Sequence, residues 1–138
     1  MSKHSEFNEH HAWGLSTSLD LHNCDPELVE NKDKIKEYLI TLCDKVINIE
    51  RYGEPIIYRF GKKEDGVEGY TAIQLVVTSD VACHFGVDLN GKGYAYIDIF
   101  SCAPYDPEKA TKFTAEFFRA KSYNKNVLYR KHWFEEKE

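Results

Sequence analysis

The sequence predicts an α+β fold: a two-layer sandwich in which one mostly antiparallel sheet carries two helices on one face. Three observations predict it. Short stretches alternate apolar and polar residues, the period of a half-buried strand. The tripeptide Asp-Pro-Glu occurs twice, at 25–27 and 106–108, each time ahead of apolar residues at helical spacing. The approach to each also matches: Leu19-Asp20-Leu21 with Cys24 before the first, Ile97-Asp98-Ile99 with Cys102 before the second. Such an echo fits a duplicated strand–helix–strand unit, and it equally fits two strand-to-helix turns that reuse one capping chemistry. At 138 residues and 42% apolar, the chain suits a single domain over 1–138 with one packed core.

Residues 12–22 read as the first strand, with Leu15, Thr17, Leu19 and Leu21 on one face. Asp25 then caps a helix, Pro26 fits its first turn, and Glu27 favours the positive end of its dipole. Ile35, Leu39, Leu42 and Cys43 supply its buried stripe. Val46 to Arg59 reads as a strand broken near Gly53-Glu54-Pro55, 61–69 as a charged glycine-bearing loop, and Tyr70 to Val77 as a strand. Val81–Val87 and Tyr94–Ser101 read as a hairpin through Asn90-Gly91-Lys92-Gly93. The second helix starts at Asp106-Pro107-Glu108, with Ala110, Phe113 and Phe117 on one face, and Asn126 to Phe134 forms the last strand. Residues 1–11 and 135–138 read as flexible ends.

A formal charge of −5 leaves no basic footprint for nucleic acid. Cys24, Cys43, Cys83 and Cys102 form no C-x-x-C pair, and His4, His10, His11, His22 and His132 lack ligand spacing, so no metal site is expected. Met1 to His11 is polar and no apolar run approaches a membrane span, so a cytoplasmic chain with reduced thiols is expected.

Alternation along 81–88 sorts the candidate chemistry. Val81, Cys83, Phe85 and Val87 share the face that the helices need, while Ala82, His84, Gly86 and Asp88 share the other. Cys83 and His84 therefore do not form a dyad. Cys102 lies just past the strand that should pair with this one. A cysteine at such a position is ordinarily a small buried hydrophobe, and Cys24 in the matching place supports that reading.

Ser79, His84 five residues later, and Tyr94-Ala95-Tyr96-Ile97-Asp98-Ile99-Phe100-Ser101-Cys102 together resemble the short prokaryotic S-adenosylmethionine decarboxylases. The resemblance covers about residues 12–130, including Gly14–Cys24 and Arg59-Phe60. It implies a two-layer fold with duplicated halves and a chain that cuts itself between Thr78 and Ser79, into pieces of 78 and 60 residues. Ser79 would become a pyruvoyl group, the cofactor, which takes up the substrate amine as a Schiff base and holds the electrons left by decarboxylation. His84 and the hydroxyl of Thr71 would assist processing, and Cys102 would be the proton donor. Phe60 would stack on adenine and Asp88 would hold the ribose hydroxyls. The product would feed polyamine (spermidine) synthesis, and the enzyme would be a homodimer or higher oligomer with sites near subunit interfaces.

Three positions depart from the family pattern. Thr78 stands where glutamate usually precedes the serine, Asp88 where the family has a glutamate, and Phe85-Gly86-Val87 lacks the usual tryptophan-proline. Such departures also suit a relative that decarboxylates arginine or ornithine, or a non-processing relative that binds and regulates. A Cys102–His84 thiol enzyme is the poorest alternative, because no oxyanion hole is evident in the sequence.

Overall fold

The computed structural model describes Asn8, residues 12–62 and residues 67–131. Six strands form one sheet: β1 (Ala12–Cys24), β2 (Ile56–Lys62), β3 (Val67–Val76), β4 (Ser79–Val87), β5 (Gly93–Ser101) and β6 (Ser122–Lys131). Their order is β2-β3-β4-β5-β1-β6, and every neighbouring pair is antiparallel. The helices α1 (Pro26–Val29), α2 (Lys32–Thr41) and α3 (Pro107–Phe117) pack on one face. The expected α+β two-layer architecture is therefore present.

The core lies between these layers. Leu15, Leu19, Leu21, Val81, Cys83, Phe85, Ala95, Ile97 and Ile99 alternate along their strands and are buried. Ile35, Tyr38, Leu39, Leu42, Ala110 and Phe118 meet them from the helices. The Tyr38 hydroxyl, which burial would otherwise leave unsatisfied, shares a hydrogen bond of 2.7 Å with Thr114 Oγ1.

Both Asp-Pro-Glu signals open helices. Asp25 accepts from Glu27 N, and Asp106 accepts from Glu108 N and Lys109 N. The first predicted helix is nevertheless two helices. Asn31 leaves the helical conformation and recaps the chain by accepting from Lys34 N at 3.1 Å. The buried stripe of α3 is also shifted. Ala110, Thr111, Thr114 and the C-capping Phe118 are buried, while Phe113 and Phe117 only lean against the core. Two threonines are tolerated there because both hydroxyls are bonded, Thr111 to Pro107 O and Thr114 to Tyr38.

The segment 46–59 departs most from expectation. Leu42–Val46 winds as a π-helical turn, an irregular stretch follows, and the strand begins only at Ile56. That stretch still borrows the sheet: Tyr52 N donates to Leu75 O at 2.8 Å, and Val77 N donates to Glu50 O at 3.0 Å. Gln74 pins it further, its Nε2 donating to Gly53 O. The loop expected over 61–69 is shorter, because β2 reaches Lys62 and β3 starts at Val67. The last strand starts at Ser122, four residues early, because Lys121 N already bonds back to His22 O. Residues 132–134 of that predicted strand, the predicted flexible ends other than Asn8, and four of the histidines (4, 10, 11 and 132) lie outside the described residues.

Topology carries one consequence for the site. β1, from the first half of the chain, lies between β5 and β6 of the second half, while β3 pairs with β4 across the middle. The two halves are interleaved rather than side by side.

Candidate functional site

The uncovered face of the sheet carries the polar residues left over from alternation. Tyr58, Thr71, His84, Tyr96, Asp20 and Asn124 stand in register across all six strands, one beside the next. Within this row Thr71 Oγ1 lies 3.1 Å from His84 Nδ1. Behind it, Cys83 is fully buried and its thiol is pushed well up by desolvation. The expected separation of Cys83 from His84 is thus realised.

A second group gathers at the β3–β4 turn. Ser79 opens β4 and pairs in register with Ser101, the last residue of β5. Cys102 follows at once, and its Sγ lies 3.7 Å from Ser79 Oγ. Its backbone N–H donates to Thr78 O at 3.0 Å, which is the carbonyl of the Thr78–Ser79 peptide bond. Thr78 Oγ1 in turn bonds Ser101 Oγ at 2.7 Å. This arrangement is competent for attack on that carbonyl: a hydroxyl follows it, an N–H waits where negative charge would develop, and a thiol stands beside the hydroxyl.

The ordinary reading of Cys102 as a buried hydrophobe does not hold, since Cys102 is exposed. Cys24 does fit that reading: it is buried, and desolvation pushes its thiol up to about 11. The difference lies in the turn. Asp25 caps the first helix directly after Cys24, whereas Ala103-Pro104-Tyr105 intervene before Asp106. Tyr105 anchors that insert, its hydroxyl bonded to Thr17 Oγ1 at 2.8 Å and to Ile99 O at 3.0 Å.

Not all of the candidates meet. Five strand positions separate Ser79 from His84, roughly 16 Å at ~3.3 Å per residue. Phe60 and Asp88 lie farther along. Phe60 is in register with Gly69, and Gly69 with Gly86, seven positions or roughly 23 Å from Ser79. Asp88 closes the β4–β5 turn, its Oδ1 accepting from Asn90 N at 2.8 Å and from Lys92 N at 3.0 Å. A Cys102–His84 thiol dyad does not form, because Cys102 sits beside Ser79 at the far end of the strand. Sequence reasoning missed Ser101 and the Cys102 N–H. The signal for both lies in the strand register, which pairs Ser79 with Ser101.

Among the described residues no cluster of His, Cys, Asp or Glu is placed to hold a metal ion, and no helix is long and apolar enough to cross a membrane.

Comparison with known proteins converges on one family. The family model described as S-adenosylmethionine decarboxylase matches residues 15–131. An S-adenosylmethionine decarboxylase proenzyme of Thermococcus gammatolerans is 33% identical over 109 residues, covering 78% of this chain and 69% of the relative. The proenzyme of Pyrococcus furiosus is also 33% identical, covering 78% and 71%. That of Caldicellulosiruptor saccharolyticus is 25% identical over 111 residues, covering 80% and 82%. The crystal structure of the adenosylmethionine decarboxylase from Aquifex aeolicus matches the fold with a TM-score of 0.71 at 22% identity, covering 92% of this chain and 98% of that one. With the serine, the held carbonyl and the thiol at one turn of the shared fold, and the family match running through every strand, this chain belongs to the S-adenosylmethionine decarboxylase family, a family of carboxy-lyases.

Proposed function

We propose that this chain cuts itself at Thr78–Ser79 and then decarboxylates S-adenosylmethionine in the cytoplasm, supplying the aminopropyl donor for spermidine synthesis. The observation that carries this reading is the turn at Ser79, where Cys102 presents its N–H to the Thr78 carbonyl and its thiol to the Ser79 hydroxyl.

In processing, Ser79 Oγ adds to the Thr78 carbonyl carbon and gives up its proton. The carbonyl oxygen gains charge against the Cys102 N–H. The C–N bond then breaks, the nitrogen takes a proton, and an ester replaces the peptide. Loss of the Ser79 α-proton expels the Thr78 carboxylate, and water releases ammonia from the remaining residue to leave a pyruvoyl group. Thr71 and His84, bonded to each other, share their face of β4 with Ala82 and Asp80, and a chain of waters along that face carries protons between them and the turn.

The residues present fit a pyruvoyl group at position 79, which heads a strand and faces a thiol rather than a packed wall. That group supplies the electron sink that decarboxylation of an α-amino acid needs. Cys102 holds at Sγ the proton that replaces the lost carboxyl. Phe60 stacks on adenine, and Asp88 offers ribose the carboxylate oxygen that its turn does not use.

One chain does not bring Phe60 and Asp88 to Ser79, and this supports a homodimer. A second copy laid on the uncovered face about a two-fold axis that runs across the strands brings opposite strand ends together. That face carries exposed Tyr58, Leu75, Tyr96 and Leu128. The interleaved topology also suits cleavage, because β1–β5, β1–β6 and β3–β4 pairing holds the two pieces together afterwards.

Intact mass of freshly purified protein, read beside carbon dioxide release from S-adenosylmethionine, arginine and ornithine, tests this reading. Two pieces of 78 and 60 residues, with release from S-adenosylmethionine, are expected, and Ser79→Ala should stay whole. A wild-type chain that stays at full length and releases nothing would overturn it in favour of a non-processing binding relative. A mixture of Ser79→Ala and Phe60→Ala proteins should recover activity that neither has alone if sites are shared between copies.

A further inference from the structure

Resting on the self-cleavage reading, we infer that Ser101 is a positioning residue for that cleavage: through Thr78 it aims the scissile carbonyl at the Cys102 N–H. Ser101 is a buried polar residue at the end of β5, 1% exposed. Its Oγ accepts from Ala103 N at 3.0 Å, which fixes the oxygen, and meets Thr78 Oγ1 at 2.7 Å. The Thr78 side chain is thereby tied down, and a β-branched residue tied at Oγ1 has its χ1 and backbone set together. The carbonyl that results points at Cys102 N, 3.0 Å away. On the other side, Val77 N is bonded to Glu50 O, so the residue before Thr78 is anchored as well. The turn before the scissile bond is held from both flanks.

This gives Thr78 a function where the family pattern has glutamate. A glutamate is longer and flexible, and it carries charge; a threonine is short and reaches one fixed neighbour. In this chain that neighbour is a buried hydroxyl on the strand that also supplies the oxyanion donor. Ser101 touches no reacting atom. It acts through Thr78, and its effect is confined to the acyl shift.

The test follows cleavage in newly synthesised full-length chain by intact mass over time, with hydroxylamine added to aliquots. At neutral pH hydroxylamine cuts an ester far faster than a peptide, and the fragment masses separate a cut at 78/79 from one at Asn90-Gly91, so it reads the acyl shift apart from later steps. Ser101→Ala and Thr78→Val should each slow cleavage at least about tenfold and lower the hydroxylamine-sensitive fraction of uncut chain, as expected for a misplaced reacting group. The double variant should be no slower than the slower single, because both remove one interaction. Ser101→Thr should restore most of the rate. Thermal melts confirm folding, and Thr78→Val, at a half-buried position, serves if Ser101→Ala is unstable. Wild-type chain that cleaves while Ser101→Ala and Thr78→Val cleave at its rate overturns this inference and leaves self-cleavage standing. Wild-type chain that never cleaves overturns both.

Discussion

Cys24 ends β1 and Cys102 directly follows β5, the strand beside it; each comes after an aspartate between two apolar residues and before an Asp-Pro-Glu helix start, yet they have opposite fates. Cys24 is sealed under the helices, while Cys102 is exposed beside Ser79. A capping aspartate directly after Cys24 draws the helix over its thiol. Three extra residues after Cys102 move the helix away, and buried Tyr105 holds them in place. The comparison teaches that one supersecondary pattern makes a wall or a site according to the length of a single connection. Reactivity then follows, since a buried thiol is inert and an exposed one next to a polar partner is not.

The largest expected break in this contrast is in activity. Cys102→Ala should lower carbon dioxide release roughly 10²–10⁴-fold, the usual worth of a positioned proton donor, while leaving the melting temperature unchanged. Cys24→Ala should keep the rate and lose stability instead. Equal loss from both changes would remove the distinction. Labelling comes next: iodoacetamide at neutral pH should modify Cys102 in the native chain, with Cys24, Cys43 and Cys83 reacting only in denaturant, as peptide mapping would show.

Tyr105→Phe tests the anchor. It leaves Thr17 Oγ1 and the Ile99 carbonyl without their buried partner and should cost about 1–3 kcal/mol in urea unfolding, with Cys102 less favourably held. An effect of similar size is read from pH. Burial raises the thiols of Cys24 to about 11 and Cys43 to about 12 from a usual 9.0. Below pH 9 both states keep these protons and the stabilisation is complete. Above it the unfolded chain ionises first, so stability falls as pH rises through the folded values, by about 1.4 kcal/mol per pH unit per thiol. Cys24→Ala should flatten the slope measured between pH 9 and 10.5.

Much of the fold was legible in local signals. Leu15 to Leu21 and Val81 to Val87 alternate as half-buried strands do, and both aspartate caps form as read. The segment 46–55 was not legible: Val46, Ile47 and Ile49 look like a strand, but Ile47 and Ile49 are buried and Val46 leans on the core through a π-turn and an irregular stretch borrowing the edge of β3. The grouping of the candidate residues was not legible either: register and the turn bring Ser79 and Cys102 together and leave His84, Phe60 and Asp88 away from them. Serine and histidine five apart look adjacent in writing, and an extended strand keeps them apart.

By itself, the sequence determined the two-layer pattern, the two aspartate caps and the sorting of Cys83 from His84, because alternation and capping act between near neighbours in the chain. Only the tertiary structure decided that Cys102 N–H meets the Thr78 carbonyl, that Ser101 holds Thr78, and that Phe60 and Asp88 lie far from both. Those facts depend on strand register and on a three-residue connection, and they are set by packing across the whole sheet rather than by any local propensity.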